Sequence, residues 1–194
     1  MLHKLCVPLA FALALPALAQ TPAPAPARAP APAPTPSFMG ACSNLVCDLR
    51  NDWDRNHVMV TTVATAMPEE MYGFKPTPAQ ETFGQRVLHV ASIDMQLLQT
   101  LGAKTKAPDL NFKATKKAEI LSVLQASGDY GNAVMKEFSE AQLNERVPSL
   151  PFLGGSASRQ RILNFLMMHA MDTYGQLAVY LRLCGITPPL SRQP

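Results

Sequence analysis

Two histidines of this chain stand where they could hold a metal ion together. His89 falls on the apolar face of a helical pattern over residues 87–101, and His169 on that of another over residues 162–184. Side chains that project inward from facing helices build metal sites in helical bundles. Two histidines one turn apart on one helix, with a third on its neighbour, leave a position open for water, and the metal lowers that water's pKa. One turn after His169, the chain has Thr173 instead of a second histidine.

Four predicted helices must position these residues. Apolar residues recur at helical spacing over residues 43–67, 82–102, 115–138 and 156–184. Thr82, with Gln85 three residues later, is typical of a capping box at the start of the second helix. No segment alternates with a period of two, so we expect no sheet. Four helices with apolar stripes must bury them on one another, which predicts an all-α fold, a four-helix bundle.

The middle of the chain adds two expectations about this bundle. The connection over residues 102–114 is long for a tight hairpin. It can cross the length of the bundle, which would let the third helix run parallel to the second. Gly128 and Gly131 lie within the third predicted helix, and each is expected to weaken it by about 1 kcal/mol relative to alanine.

The start of the chain predicts export. Residues 1–19 combine Lys4, a short apolar run and the small residues Ala17 and Ala19, which is typical of a signal peptide cleaved after Ala19. Residues 20–37 are rich in alanine and proline, which favours an extended linker, a stalk rather than a ligand for another domain. Residues 38–194 form the predicted bundle domain. We therefore expect a periplasmic or secreted protein.

The net charge and the hydropathy of the chain argue against two classes of partner, nucleic acid and the membrane interior. A formal net charge of +3 over 194 residues is too small to indicate nucleic acid, and no predicted membrane-spanning helix follows the signal. The sequence does not distinguish a monomer from a homodimer.

Cys42, Cys47 and Cys184 remain after cleavage, so one disulfide is possible in an oxidising compartment, and buried free thiols are the alternative. A Cys42–Cys47 bridge requires Cys42 to precede the first helix.

Two separated segments resemble one family, the DinB-like (DinB/YfiT) superfamily. The first is MPEEMYGFKPTP at residues 67–78, followed by Thr82-Phe83-Gly84 and His89. The second is HAMDTYGQ at residues 169–176, followed by Tyr180-Leu181-Arg182 and GITPP at residues 185–189. The resemblance covers essentially the whole predicted domain. It implies a four-helix bundle with a long crossover between the second and third helices, which agrees with the long connection noted above.

The resemblance also implies a site. Members with full sites hold nickel, zinc or a similar divalent metal with three histidines, and some are thiol-dependent S-transferases or metal-dependent hydrolases. Here His89 matches the second-helix ligand, His169 matches the first fourth-helix ligand, and the third position is Thr173. A neutral hydroxyl is a poor substitute for an imidazole at a divalent metal. Asp172, three residues after His169, is a weak substitute, although a two-histidine, one-carboxylate set would suit zinc, iron or manganese.

These observations leave two principal functions open. One is an exported, metal-dependent hydrolase-like enzyme that uses His89 and His169; S-transfer is less favoured because small thiols are scarce outside the cell. The other is a non-catalytic binding or structural bundle whose metal site has decayed, with the two histidines as buried groups that satisfy one another. A carrier of a small-molecule ligand in the space between the helices is a third possibility. His57 matches no ligand position, and we expect it to be a partly exposed surface residue.

Overall fold

The structure is a computed structural model that describes residues 42–191. The predicted signal peptide, the predicted linker and residues 38–41 lie outside the described residues. The helices are α1 (Leu45–Ala66), α2 (Phe83–Leu98), α3 (Lys117–Met135), the short α4 (Glu140–Asn144) and α5 (Arg159–Leu183). Single 3-10 turns cover Glu69–Met71, Gln99–Leu101, Pro151–Leu153 and Pro189–Ser191. No helix within residues 42–191 is long and apolar enough to cross a membrane.

The four predicted helices are confirmed as α1, α2, α3 and α5, and the ends of α2 and α5 follow from local chemistry. The Thr82 side chain accepts a hydrogen bond from the Gln85 backbone N–H, and the Gln85 side chain accepts one from the Thr82 N–H, so the capping box is present. The Ser158 side chain caps α5 in the same way, accepting from the Arg161 N–H. Gly185, at a φ of 73°, follows the end of α5 in the left-handed conformation that glycine adopts without steric cost.

The expectation of no sheet is wrong for one short segment before α5. Strands β1 (Arg146–Pro148) and β2 (Ser156–Ser158) pair antiparallel, with Val147 opposite Ala157. Three residues per strand are too few to produce a recognisable alternation, and the pairing depends on the turn between them, where Gly154 and Gly155 both have positive φ. The remaining architecture is helical, as predicted.

The long helices surround a common core in the order α1, α5, α2, α3, with each helix packed on the next. The Lys117 ammonium, at the start of α3, donates to the backbone oxygens of Thr65 and Met67 at the end of α1, at 2.8 Å and 2.7 Å. The carboxylate of Glu137, just past α3, accepts hydrogen bonds from the backbone N–H groups of Lys104 and Thr105, just past the end of α2. Helices α2 and α3 therefore begin at the same end of the bundle and finish at the other end. The predicted crossover, with α3 parallel to α2, is confirmed.

Glu137 fastens the start of this crossover to the end of α3. Its carboxylate accepts hydrogen bonds from the Lys104 N–H at 2.6 Å, the Thr105 N–H at 2.7 Å and the Thr105 hydroxyl at 2.5 Å. The Thr105 hydroxyl and the Lys104 backbone hydrogen bond lower the pKa of Glu137 below its ordinary value of 4.5. These hydrogen bonds favour the ionised carboxylate of Glu137. They therefore stabilise the folded state at pH values at which the carboxylate is ionised.

This arrangement predicts that Glu137→Gln lowers the melting temperature near neutral pH. Because the folded pKa is lowered, the contribution is fully present above the ordinary pKa of 4.5 and is lost as the pH falls through the folded pKa. The difference between wild type and variant, followed by thermal unfolding, should therefore shrink in acid. Glu70→Gln is the control, since Glu70 is exposed and has no hydrogen bond or ion pair within residues 42–191. A difference that stays constant with pH would show that Glu137 acts without its charge.

The apolar core is divided into two clusters along the bundle. Each cluster draws on all four long helices. The first core cluster includes Val63, Val87, Ile120 and Leu177, and the second core cluster includes Trp53, Leu98, Val134 and Leu166. The division places a boundary across the middle of every long helix.

The two glycines of α3 are sites of close packing between α3 and α1. The indole Nε1–H of Trp53 donates to the Gly128 backbone oxygen at 3.0 Å. A Cβ atom at Gly131 would lie 2.2 Å from Cζ2 of Trp53, and one at Gly128 would lie 2.8 Å from Nδ1 of His57. The glycines lower intrinsic helix stability, as their residue type predicts, but they also make room for the two rings of α1.

A disulfide between Cys42 and Cys47 joins the chain before α1 to its first turn. Cys42 precedes the helix, which meets the requirement that the sequence set for this pair. The amide Nδ2 of Asn51, one turn further along, lies 3.0 Å from Sγ of Cys42. Cys184, at the end of α5, is a half-buried free thiol whose pKa is raised by burial.

Candidate functional site

His89 and His169 meet between α2 and α5. Their ring centroids are 4.9 Å apart, with 61° between the ring planes, and both residues are half-buried. The ring of Phe165, one turn before His169, lies nearly parallel to the His169 ring at 6.2 Å. The pairing of the two histidines, expected from their positions on facing stripes, is therefore present in the structure.

Burial makes His169 a neutral imidazole near neutral pH. Desolvation and then the neighbouring His89 lower the pKa of His169, while Asp94 and Asp172 act in the opposite direction. Nδ1 of His169 is buried and has no hydrogen-bond partner within residues 42–191. Nε2 is therefore the ring nitrogen that a ligand can reach. A neutral imidazole with an accessible nitrogen is the form in which histidine binds metals.

The third position of the site does not supply a comparable ligand. Thr173 is buried, and its neutral hydroxyl is a weak donor to a divalent metal. Asp172 lies on the exposed face of α5, where Oδ2 accepts a hydrogen bond from Nε2 of Gln176 at 2.8 Å. Within residues 42–191, no group of three or more His, Cys, Asp or Glu side chains is placed to hold a metal ion. The residues therefore fit capture of an ion by two imidazoles and do not fit a three-ligand centre.

Sequence reasoning missed Asp94 and Ser127, which join His57 and His169 in a set of polar residues at the boundary between the two core clusters. The polar layer, as we name it, contains His57 of α1, Asp94 of α2, Ser127 of α3 and His169 of α5. On α5, for example, His169 stands between Leu166 of the second core cluster and Ala170 of the first. Each long helix thus contributes one polar residue to the layer.

Asp94 is the centre of the polar layer and is fully buried, at 0% exposure. Its Oδ2 atom lies 3.1 Å from Nε2 of His57, which is an ion-pair distance although the angles do not meet the criteria for a hydrogen bond. The Ser127 hydroxyl approaches the same oxygen at 3.4 Å and also donates to the Leu124 backbone oxygen at 2.9 Å. Oδ1 of Asp94 is buried without a hydrogen-bond partner among the described residues.

The expectation for His57 is wrong, because its side chain faces the core rather than solvent. Only 11% of the side chain is exposed, and its ring packs 4.5 Å from that of Trp53. The sequence contains a signal for both residues of the pair. His57 lies between Trp53 and Val60 on the apolar stripe of α1, and Asp94 interrupts the stripe of α2. A charged residue on a buried stripe needs a partner on a facing helix.

A groove lies beside this site on the outer side of α5. It has a volume of about 310 Å³ and is lined by apolar Leu153, Phe165 and Met168 and by polar Ser158, Gln160, Arg161 and Asn164. Phe152, 57% exposed, packs its ring 5.2 Å from that of Phe165. Since Phe165 also stacks on His169, the groove adjoins the histidine pair.

Comparison with known proteins agrees with this fold. The sequence profile of the DinB superfamily matches residues 52–177. The structure resembles a DinB-like protein from Bacillus cereus, with a TM-score of 0.64 and 17% identity over 73% of this chain and 93% of that one. It also resembles the DinB-like protein YjoA from Bacillus subtilis, with a TM-score of 0.57 and 15% identity over 72% of this chain and 94% of that one. No curated protein matches the chain in sequence.

Proposed function

Since the chain belongs to the DinB superfamily, we propose that it is a binding protein whose His89–His169 pair captures a divalent metal ion, zinc or nickel, without catalysing hydrolysis. One observation carries this proposal. Two half-buried imidazoles lie with their centroids 4.9 Å apart, while the position that would complete the set is the buried Thr173. Imidazole is a suitable ligand for both metals.

The number of protein ligands separates binding from catalysis. Catalytic zinc centres use three protein ligands and keep the fourth position for water, so that the ion stays in place through each turnover. A bound metal there supplies a water with a pKa near neutrality. With two imidazoles, solvent must complete the coordination shell and the ion exchanges readily. The pair therefore suits reversible uptake of a metal ion better than sustained hydrolysis.

A metal-dependent hydrolase is the second candidate. It is favoured by the lowered pKa of His169, which keeps that imidazole neutral, and by the half-buried position of both histidines, which leaves the site open to a substrate. Hydrolysis of 4-nitrophenyl acetate distinguishes the two candidates. A binding protein should hydrolyse the ester in the presence of zinc no faster than the metal-free protein and the same concentration of zinc do when their separate rates are added.

We also propose that the protein is exported and that a small molecule binds beside the histidines. The Cys42–Cys47 disulfide supports export, because disulfides persist in oxidising compartments such as the periplasm. The groove beside α5 supports a small-molecule ligand, because its volume of about 310 Å³ reaches the lower end of the range for such sites, about 300–1,000 Å³. Its apolar side chains would contact the body of the ligand, and Arg161 would attract an acidic group.

Single substitutions test the assignment of ligands. His89→Ala and His169→Ala should each abolish saturable zinc uptake, measured by equilibrium dialysis and elemental analysis, because one imidazole alone cannot chelate. Asp172→Ala should change the affinity by less than about fivefold, since an exposed charge contributes below ~1 kcal/mol. Loss of uptake in Asp172→Ala would identify the carboxylate as a ligand. Unchanged uptake in both histidine variants would refute the site.

A further inference from the structure

Three buried atoms of the polar layer have no hydrogen-bond partner within residues 42–191: Nε2 of His57, Oδ1 of Asp94 and Nδ1 of His169. Nε2 of His57 has Oδ2 of Asp94 at 3.1 Å, whereas Oδ1 of Asp94 and Nδ1 of His169 are a complementary acceptor and donor. As part of an ionised carboxylate, Oδ1 of Asp94 accepts hydrogen bonds and cannot donate them. Nδ1 of His169 can donate a hydrogen bond when it carries the ring hydrogen. These two atoms belong to α2 and α5, which pack on each other, and both lie at the boundary between the core clusters. Buried polar atoms in native proteins are nearly always hydrogen-bonded, so each of these two atoms calls for a partner.

The other oxygen of Asp94 is already engaged. His57 Nε2 at 3.1 Å and the Ser127 hydroxyl at 3.4 Å both approach Oδ2. His57 is itself held by the Trp53 ring and by the close approach of the Gly128 backbone. These contacts direct Oδ2 of Asp94 toward His57 of α1 and Ser127 of α3 and leave Oδ1 as the oxygen that can accept a hydrogen bond from another group.

Asp94 and His169 lie at the same boundary between the core clusters, on helices that pack against each other. They do not hydrogen-bond directly, since neither Oδ1 of Asp94 nor Nδ1 of His169 has a partner among the described residues. A water molecule bridges buried polar groups that are too far apart for a direct hydrogen bond and has nearly the same enthalpy as a direct one.

We propose that Asp94 is a positioning residue for His169. Nδ1–H of His169 donates a hydrogen bond to one bridging water, and that water donates to Oδ1 of Asp94. This arrangement holds the ring hydrogen on Nδ1 and leaves the lone pair on Nε2. The proposal rests on the proposed function, in which Nε2 is the atom that binds the metal. Metal-binding histidines generally donate their other ring N–H to a carboxylate, a carbonyl or a water, which fixes the tautomer and strengthens the ligand. In this chain, the accepting carboxylate is that of Asp94, and His57 and Ser127 contact its other oxygen.

The tautomer of His169 can be measured without any metal. Long-range ¹H–¹⁵N correlation spectra of the metal-free protein distinguish an Nδ1–H imidazole from an Nε2–H imidazole, and the spectrum of His169→Gln assigns the signals. We expect His169 to be the Nδ1–H tautomer in the wild type. An Nε2–H tautomer there would overturn the proposal, whatever the variants do.

Two substitutions at Asp94 then test whether the carboxylate is the cause. Asp94→Leu removes the acceptor and leaves His57 without its partner, which should destabilise the fold, so the spectra are recorded at a temperature where circular dichroism shows the variant to be folded. The substitution should shift His169 toward Nε2–H and lower zinc affinity by about tenfold, the lower end of such effects. Asp94→Asn keeps an acceptor oxygen and should retain the Nδ1–H form, as should Ser127→Ala, which leaves Oδ1 untouched. Retention of Nδ1–H in Asp94→Leu would overturn the role of Asp94.

The two proposals fail separately in this design. A wild type that binds no zinc but shows the Nδ1–H tautomer, lost in Asp94→Leu, would refute the metal site and support the positioning role. A wild type that binds zinc through both histidines but holds His169 as Nε2–H would refute the positioning role and support the metal site.

Discussion

Thr173→His should raise the affinity of the protein for zinc by about 50- to 1,000-fold. The residue lies one helical turn after His169 on the same face of α5, so its new imidazole would join the His89–His169 pair. Four-ligand structural zinc sites bind with about 10–16 kcal/mol, so one further ligand contributes about 2.5–4 kcal/mol. Competition with a chromophoric chelator measures the gain.

Thr173→Gln is the matched control for this gain. It adds similar bulk at the same buried position without an imidazole, and it should leave zinc affinity at the wild-type value. Thermal unfolding of both variants without metal gives the stability lost to the larger side chain. If Thr173→His folds but binds zinc no better than Thr173→Gln, then α2 and α5 do not hold the three positions in a metal-binding arrangement.

Gly131→Ala should destabilise the protein by about 2–6 kcal/mol, contrary to the usual effect of this substitution in a helix. The new Cβ would lie 2.2 Å from Cζ2 and 2.5 Å from Cε2 of Trp53, so the indole must move. Overpacking costs about 1–3 kcal/mol, and a buried donor deprived of its acceptor costs about 1–3 kcal/mol more. That donor is the Trp53 N–H, which binds the Gly128 oxygen. Urea unfolding followed by tryptophan fluorescence measures the loss.

Gly175→Ala is the control for helix propensity. Gly175 lies within α5 and is exposed, and a Cβ atom added there would meet no atom within 4 Å apart from its chain neighbours and the nearby backbone of its own helix. Alanine there should stabilise the protein by about 0.5–1 kcal/mol, as expected for an exposed helix interior. Similar effects of the two substitutions would mean that Trp53 does not occupy the space beside Gly131.

The long helices could be predicted because their determinants are local. Apolar stripes, the Thr82 capping box and the glycine after α5 act over one or two helical turns. The length of the 102–114 connection allowed a third helix parallel to the second, and the family resemblance implied the crossover. The β1–β2 hairpin could not be predicted, since its strands have three residues each and are defined by a turn with two positive-φ glycines rather than by a pattern.

The site was predictable only in part. His89 and His169 were found because each occupies the inward stripe of its own helix, and the family resemblance indicated that the two helices are neighbours. The link between His57 and Asp94 spans α1 and α2, which lie across the core from each other and are far apart in sequence. No local pattern pairs them. Their presence on buried stripes indicates that each needs a partner, but only the packing of the four helices identifies it.

The affinity of the wild-type protein for zinc tests most directly the claim that two imidazoles hold the ion. Half the free energy of a four-ligand structural site, about 5–8 kcal/mol, corresponds to a Kd between about 1 µM and 0.2 mM. We predict one zinc ion per chain within this range and none in His169→Ala, measured by chelator competition and isothermal titration. Absence of saturable binding in this range, or tight binding that survives His169→Ala, would contradict the claim.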